Sequence, residues 1–504
     1  MPASARPHLA MLALLVAVGL VAAVEALAPT DTPEIQLQLG HLLYGDGRFS
    51  EALTAYEQAV GSTEPRVRHP ARLGLVRSAL RIGSFQKARS AAEVLREEQP
   101  SDALALAVYG DAMWSAGLFE EADRGYQEAL AASPDEARAH NGVARVLSAR
   151  GRFDEALEHS QRAVRVDPRE ADFHHTLGNV YERLGRYDHA ATALSSFINL
   201  LPKGMADPRA PWAMAELKFL MSFGTKAPYE FVSSPEQVYT LPFRLENEKI
   251  IIQGRVNGSR PHDFIVDTGA ELSTISRITS EKEGVTPITY TVSAGVGEVG
   301  LRGLQLGRID KLEFGALRVK QVPCIIKSPA LQDLPVPEGE SFSPLAMGLS
   351  VSVDYGRRVM TLAKRLPASG PADVTMGLWM NRLATVRGMV GDGHARSFVV
   401  DTGGQVISIS TDTARALPPV ELRKIALKVY GASGWDREAY LMPGVDLAFD
   451  AIRFPKMSVV VLNLRAPSVL LGYELGGIVG HRFLSKYHVT IDLQKSELRL
   501  DESS

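Results

Sequence analysis

Two different hydrophobic patterns divide this chain of 504 residues. Across residues 35–202, apolar positions follow the spacing of paired amphipathic helices. From about residue 236, apolar and polar residues alternate in short runs between glycine-containing turns, which is typical of β-strands. The pattern therefore predicts a multidomain protein in which an all-α region precedes an all-β region.

The helical region repeats one short motif, of which Gly151-Arg152-Phe153-Asp154-Glu155-Ala156 is an example. The motif glycine and a later proline both recur with a period of about 34 residues. The glycine permits the turn between two helices, the alanine lets the helices approach, and the proline ends the second helix. These markers are Gly47, Gly83, Gly117, Gly151 and Gly185, with Pro100, Pro134, Pro168 and Pro202.

Residues 35–202 resemble five tetratricopeptide repeats. Because one such unit cannot bury its apolar face alone, the five are expected to stack into an all-α superhelix with a concave groove. The resemblance implies that the groove binds a peptide or a partner protein; the alternative is a spacer or scaffold. Residues 203–235 are predicted to form a capping helix, between Pro211 and Gly224, and a linker.

The β-rich region is predicted to form two similar lobes, residues 236–366 and 367–504. Each lobe contains Asp-Thr-Gly directly after an apolar run, once at Asp267 and once at Asp401, in matching strand–loop–strand frames. Two plain turns would explain the composition of the motif, since Asp and Gly are common in turns. A carboxylate at the end of a buried strand is costly, however, and this favours a chemical function for the pair.

Each lobe also closes with an apolar-apolar-glycine element followed by a strand that contains an aspartate. In the second lobe the element is 478–480, and its predicted counterpart in the first lobe is Ala346-Met347-Gly348. The stretch from Gly348 to Asp354 is much shorter than the stretch from Gly480 to Asp492. The helical segment predicted at 482–487 is therefore expected to be missing from the first lobe.

On these features, residues 236–504 resemble a retropepsin-like aspartic protease of the pepsin superfamily, with two lobes fused in one chain. The resemblance implies an all-β bilobal domain in which Asp267 and Asp401 form a catalytic dyad. It also implies that two threonines lock the loops together and two glycines leave room for the close approach of the carboxyls. These supporting residues are Thr268, Gly269, Thr402 and Gly403.

The same resemblance implies hairpin flaps over a substrate cleft. The candidate flap residues are Gly295 and Gly297 in the first lobe, and Tyr430 and Gly431 in the second. The first-lobe glycines match a G-x-G-x-x-G nucleotide motif, but no helix is predicted to follow them. A hairpin tip explains these glycines better than a nucleotide site.

Paired carboxyls are suited to peptide hydrolysis. Two carboxyl groups in contact cannot both ionise easily, so they share one proton. The ionised group then acts as general base on a water, while the protonated group polarises the scissile carbonyl. We expect no cofactor and no metal, because His262, His394 and His481 are scattered singly and lack metal-ligand spacing.

Composition excludes two classes of feature. The net charge is −3 and the chain has no basic tract, so it has no positive electrostatic field that would attract nucleic acid. A single cysteine, Cys324, excludes an internal disulfide.

The N-terminal segment indicates the compartment. Arg6 and His8 precede an apolar run over 9–24. Residues 1–28 are therefore predicted to be a signal peptide or a membrane anchor, which places the rest of the chain in the periplasm or outside the cell.

These observations predict an exported or membrane-anchored aspartic endopeptidase whose repeat array recruits protein substrates or partners. One alternative is a non-catalytic scaffold, in which degenerate protease-like lobes bind peptides. A third hypothesis is an obligate dimer, in which the second lobe pairs with its own copy.

Overall fold

The computed structural model describes residues 32–202, 209–234, 236–294, 301–327, 339–420, 423–424, 429–431, 434–436 and 439–502. The predicted signal or anchor, residues 1–28, lies outside the described residues. Within the described residues, no helix is both long enough and apolar enough to span a bilayer.

The helical region stacks helix pairs and then adds one more helix. Left-handed glycines make the turn inside each pair, with φ between 68° and 77° at the five predicted positions. The described helices are α1 (Pro33–Gly45), α2 (Phe49–Ala59), α3 (Pro65–Arg81), α4 (Phe85–Glu98), α5 (Ala103–Ser115), α6 (Phe119–Ala132), α7 (Ala137–Ala149), α8 (Phe153–Val166), α9 (Ala171–Arg183), α10 (Tyr187–Leu200) and α11 (Arg209–Met221).

Helix α11 lies in the region of the predicted capping helix and closes the end of the array. It packs against α10 and buries Phe219 and Leu220 among array side chains. This covers apolar surface that the fifth repeat would otherwise expose to water.

Ion pairs cross the inside of the array between helices that are distant in sequence. Arg77 and Arg81 of α3 donate to Glu170 at 3.1 Å and to Asp172 at 2.8 Å, at the start of α9. Arg138 of α7 also donates to Glu170, at 3.2 Å. These ion pairs join the second and fifth repeats directly. The inner face of the array is therefore charged rather than apolar, and its charged side chains pair with one another.

The first lobe contains twelve described strands, one short helix and one 3-10 turn. They are β1 (Glu230–Phe231), β2 (Tyr239–Pro242), β3 (Arg244–Glu246), β4 (Lys249–Val256), β5 (His262–Val266), β6 (Ser273–Ser276), α12 (Arg277–Lys282), β7 (Pro287–Ala294), β8 (Leu301–Phe314), β9 (Leu317–Lys327), β10 (Glu340–Phe342), the 3-10 turn Leu345–Met347, β11 (Ser350–Asp354) and β12 (Val359–Ala363).

The second lobe repeats much of this plan. Its described elements are β13 (Val374–Asn381), β14 (Leu383–Val390), β15 (His394–Val400), β16 (Ser408–Ser410), α13 (Thr411–Arg415), β17 (Arg423–Lys424), β18 (Val429–Gly431), β19 (Gly434–Asp436), β20 (Tyr440–Phe449), β21 (Ile452–Leu462), α14 (Arg465–Leu471), β22 (Gly477–Val479), α15 (His481–Leu484), β23 (Tyr487–Asp492) and β24 (Glu497–Glu502).

Sheet topology relates the two lobes. The first lobe has strand order β9-β6-β10-β5-β4, and the second has the matching order β21-β16-β22-β15-β14. A shared sheet, β2-β12-β11-β23-β24-β13, takes strands from both lobes and joins them. The structure thus confirms the predicted fold class, an all-α array followed by a two-lobe β region.

The closing element of the first lobe differs from the prediction. Strand β10 pairs in parallel with β5, Val266 opposite Phe342, as β22 pairs with β15, Val400 opposite Val479. Ser343 therefore occupies the place of Gly480, and assigning that place to Ala346-Met347-Gly348 was wrong. The expected loss of the following helix was also wrong, because the 3-10 turn Leu345–Met347 stands where α15 stands in the second lobe.

The array packs tightly against the second lobe through the turns inside its helix pairs. Phe119 lies against Trp379 and Tyr473, with ring centroids 5.3 and 5.2 Å apart. The indole Nε1 of Trp379 donates to Glu120 at 2.9 Å, and the guanidinium of Arg150 lies 3.6 Å from the centroid of the indole. The array and the lobe therefore share one hydrophobic cluster.

Candidate active site

Strand pairing brings both predicted catalytic aspartates to the ends of equivalent strands. Asp267 follows β5, and its N–H donates to the carbonyl of Phe342 at 2.9 Å. Asp401 follows β15, and its N–H donates to the carbonyl of Val479 at 3.0 Å. Each loop is thus held from one side by a parallel strand of its own lobe.

Two threonines lock the loops together beneath the carboxyls. The hydroxyl of Thr268 donates to the carbonyl of Val400 at 2.7 Å, and the hydroxyl of Thr402 donates to the carbonyl of Val266 at 2.8 Å. Each hydroxyl also accepts the backbone N–H of the other threonine, at 3.2 and 3.0 Å. Both side chains are almost fully buried, 1% and 0% exposed. This crossed network is the arrangement that the resemblance implied.

Glycine is required beside each aspartate because the carboxyls pack across the lobe boundary. A Cβ at Gly269 would lie 2.6 Å from Cγ of Asp401, and one at Gly403 would lie 2.8 Å from Cγ of Asp267. The N–H of each glycine also donates to the aspartate of its own loop, at 3.0 Å in the first lobe and 2.7 Å in the second. The structure therefore brings Asp267 and Asp401 into one site.

The two carboxyls differ in electrostatic environment. Burial, then the charge of Asp401 and a hydrogen bond with it, raises the pKa of Asp267 from 3.8 to about 7. Burial also raises the pKa of Asp401, but the N–H groups of Gly404 and Gly403 and the hydrogen bond from Asp267 oppose that rise. Burial and the charge of each carboxyl beside the other therefore favour a single proton shared by the pair.

Sequence reasoning did not find the cations that act on the dyad. The positive charge of Lys249, at the start of β4, opposes the rise in the pKa of both carboxyls. The positive charge of Lys327, at the end of β9, opposes the rise in the pKa of Asp267. Neither lysine lies in a motif, so no signal in the sequence marks them. Both aspartates remain partly accessible to solvent.

The predicted flap residues are described only in part. Gly295 and Gly297 lie outside the described residues, between β7 and β8. Tyr430 and Gly431 lie in β18, which pairs with β19 as an antiparallel hairpin. Their contact with a substrate stays a prediction.

The predicted single histidines are not gathered into a site. Within the part of the chain that the structure describes, no group of three His, Cys, Asp or Glu side chains is arranged to hold a metal ion. His481 packs edge-on against Tyr355, with ring centroids 5.2 Å apart, and burial lowers its pKa.

Comparison with known families agrees with this geometry. The aspartyl protease family model matches twice, over residues 252–341 and 386–475, so each match contains one Asp-Thr-Gly. Tetratricopeptide repeat models match over 37–103, 73–137, 144–185 and 171–200. No curated protein matches the chain at a significant level.

Solved structures that are similar to about a third of this chain include tetratricopeptide proteins, all at low sequence identity. The thermophilic TPR protein TTC0263 of Thermus thermophilus is 23% identical, covers 36% of this chain and 99% of its own, and has a TM-score of 0.31. MamA from Desulfovibrio magneticus RS-1 is 19% identical, with coverages of 34% and 97% and a TM-score of 0.25. A human IFIT1 dimer with PPP-AAAA is 18% identical, with coverages of 38% and 46% and a TM-score of 0.32. The family-model matches show that the chain joins a tetratricopeptide-repeat array to a retropepsin-like aspartyl protease domain in two repeats.

Proposed function

We propose that this protein is an aspartic endopeptidase that hydrolyses peptide bonds with a water activated by Asp267 and Asp401. The observation that carries the proposal is that Asp267 and Asp401 lie together, each packed against the motif glycine of the opposite loop. The pKa of Asp267 is raised to about 7 by burial and by the neighbouring Asp401, whose own charge is supported by backbone N–H groups. A singly protonated carboxyl pair is the starting state that peptide hydrolysis requires.

The reaction has two steps, and in each step each carboxyl of the dyad takes up or gives up one proton. Asp401 takes a proton from the water as its oxygen attacks the carbonyl carbon, and Asp267 gives its proton to the carbonyl oxygen. The resulting gem-diol collapses when Asp401 delivers its proton to the leaving nitrogen and Asp267 recovers one from the diol. The carbon–nitrogen bond breaks, and the dyad returns to its single shared proton.

Cleavage assays with active-site variants test this proposal. The purified full-length protein is incubated with a denatured protein substrate between pH 3 and pH 7, with and without a pepstatin-type inhibitor. We expect cleavage by the wild type, and a loss on the order of 100-fold to 10,000-fold in Asp267→Asn and in Asp401→Asn separately.

Three outcomes contradict the assignment. Equal cleavage by the double variant would place the activity elsewhere. Restored activity on mixing the two single variants would mean that the dyad forms between chains. An inactive wild type that still binds denatured peptides would favour the non-catalytic scaffold.

We further propose that the array recruits protein substrates or partners, as tetratricopeptide repeats do in general. Its inner face offers arginines and carboxylates that already pair with one another, such as Arg81 with Asp172. A partner that enters this face must exchange these ion pairs for its own, which favours a charged peptide. Binding that does not weaken when salt is raised from about 0.1 M to about 0.5 M would argue against this route.

We propose that the protein is exported, on the apolar run over 9–24 and the basic residues before it. Fractionation of cells that express the full chain with a C-terminal tag tests this proposal. Recovery of the tag only in the cytosol would contradict it.

A further inference from the structure

An arginine of the second lobe binds the loop that carries the first catalytic aspartate. Glu271 lies four residues after Asp267. Arg382, in the tight turn between β13 and β14, donates to it through Nε at 3.1 Å and through a second, shorter bond. Arg382 also donates to the carbonyl of Leu470 at 3.3 Å. The first catalytic loop is therefore fastened to the other lobe beyond the threonine network.

The array adds two acidic side chains to the electrostatic environment of this arginine, Glu182 of the fifth repeat and Glu216 of the capping helix. Burial lowers the pKa of Arg382, but Glu271, and then Glu216 and Glu182, outweigh burial and raise that pKa. Burial, then the charge of Glu182, raises the pKa of Glu216 to about 8. Arg382 forms its hydrogen-bonded ion pair with Glu271, and the array acids act on it electrostatically.

Packing connects the same three parts. Leu272, the residue after Glu271, packs against the hydrophobic cluster in which Leu306 of β8 joins array side chains. Next to it, Arg308 donates to the carbonyl of Ser222, just after α11, at 2.9 Å, and stacks on Phe223 at 5.2 Å. The array therefore meets the first lobe beside the catalytic loop.

The second catalytic loop lacks this charged connection. Gln405 occupies the position equivalent to Glu271, four residues after Asp401, and its side-chain amide donates to the carbonyl of Asn247 at 3.2 Å. Asn247 lies in the turn between β3 and β4, which corresponds to the turn that holds Arg382. The two-fold plan of the lobes is thus broken at the ion pair between Arg382 and Glu271.

We propose that Arg382 is a positioning residue that fastens the first catalytic loop to the second lobe and, together with the array packing at Leu272, sets the carboxyl of Asp267 against that of Asp401. The array then has a role within its own chain, in addition to any external partner. The inference rests on the proposed endopeptidase function for its kinetic consequence, but its structural part stands without it.

The test uses the full-length protein with Arg382→Gln, Glu271→Gln and Arg382→Lys. In Arg382→Gln we expect kcat to fall on the order of 10-fold to 100-fold with little change in KM, because a misplaced carboxyl impairs the reaction more than binding. The pH profile of kcat should shift, because the proton on Asp267 depends on its distance from Asp401. Glu271→Gln, which removes the ion pair with little change of shape, should act in the same direction. Arg382→Lys, which keeps the charge and loses the planar fork, should be intermediate.

Hydrogen exchange supplies a readout that needs no activity. In Arg382→Gln, amides of 264–276 should exchange at least about 5-fold faster, because this arginine holds the segment against the second lobe. Gln405→Ala is the matched control, and it should leave exchange over 264–276 at the wild-type rate.

Each outcome decides the proposal. Unchanged exchange over 264–276 in both Arg382→Gln and Glu271→Gln overturns it, whatever happens to activity. Unchanged kcat and pH profile in an active protein also overturn it. If the wild type cleaves nothing, the endopeptidase function fails, and faster exchange over 264–276 still supports the positioning role.

Discussion

At the scale of single residues, the space between the two carboxyls is set by the glycines that face them. Gly269 approaches Asp401 so closely that an added Cβ would lie 2.6 Å from Cγ and 2.8 Å from Oδ1. Real Cβ atoms do not tolerate such contacts, and the carboxyl cannot move away without leaving the dyad. The requirement for glycine here is therefore chemical as well as conformational.

Replacing Gly269 by alanine should separate the carboxyls. We expect Gly269→Ala to lose activity on the order of 100-fold, because a displacement of about 1 Å can have that effect. Steady-state kinetics on the denatured substrate measures the loss. The control is Gly370→Ala, where an added Cβ would meet nothing within 4 Å; equal losses in both variants would contradict the role assigned to Gly269.

The raised pKa of Asp267 predicts how stability and activity depend on pH. Between its ordinary pKa of 3.8 and about 7, the folded protein holds a proton on Asp267 that the unfolded chain has released. Stability from this group is therefore greatest at low pH and falls as the pH rises towards 7. Relative to wild type, Asp267→Asn should gain stability between pH 4 and pH 8, as measured by urea denaturation. A constant difference would contradict this pKa.

Activity should follow the same proton. Above about pH 7, where Asp267 loses its proton, kcat should fall about tenfold for each pH unit. Initial rates between pH 5 and pH 9 measure this limb. A rate that stays level to pH 9 would mean that the proton on Asp267 is not needed.

At the scale of elements, the turns inside the helix pairs both shape the repeats and bind the protease domain. Gly117 and Gly185 have nearly the same left-handed φ, 72° and 70°. An added Cβ at Gly117 would lie 2.8 Å from the carbonyl oxygen of Glu474, whereas one at Gly185 would meet nothing within 4 Å. Alanine substitutions at these two glycines therefore separate two free-energy costs, that of a left-handed backbone at alanine and that of the clash at the interface.

We therefore expect Gly117→Ala to destabilise the protein more than Gly185→Ala. The backbone cost, about 1 kcal/mol, should be common to both, and the clash at the interface should add about 1–3 kcal/mol to the first. Urea denaturation of the full-length protein measures the difference. An equal loss of unfolding free energy in both variants would show that the turn at Gly117 does not pack against the second lobe.

The closing elements show why one element could be predicted from the sequence and its partner could not. Gly480 must be glycine, because an added Cβ would lie 2.6 Å from the carbonyl oxygen of Val406. Ser343 fills the equivalent place without such a restriction: its hydroxyl donates to the carbonyl of Ala270 at 2.7 Å. The glycine therefore marks the closing element of the second lobe in the sequence. The closing element of the first lobe has no such marker, because strand pairing rather than residue type defines it.

At the scale of the whole molecule, the array shares one hydrophobic cluster with the second lobe and another with the first lobe. Trp379, of the second lobe, is 2% exposed because Phe119 and Arg150 of the array cover it. The cap meets the first lobe through Leu306, which is 4% exposed. Removing either part would expose apolar side chains of the other part that these shared clusters bury.

We expect the full-length protein to unfold in a single calorimetric transition, because the shared clusters couple the two parts. Residues 236–504 alone should expose Trp379 and Leu306, bind a hydrophobic dye and aggregate. Calorimetry and light scattering measure these properties. A monomeric fragment with the thermal stability of the full chain would contradict the coupling.

The sequence by itself determined the repeat array, the two-lobe plan and the identity of Asp267 and Asp401, because these depend on local periods and short motifs. Tertiary structure decided which groups surround the dyad, such as Lys249, Glu271 and Arg382. These residues come together from strand starts and turns that carry no local signal. Their chemistry arises from distance and burial, and neither exists until the lobes and the array have packed.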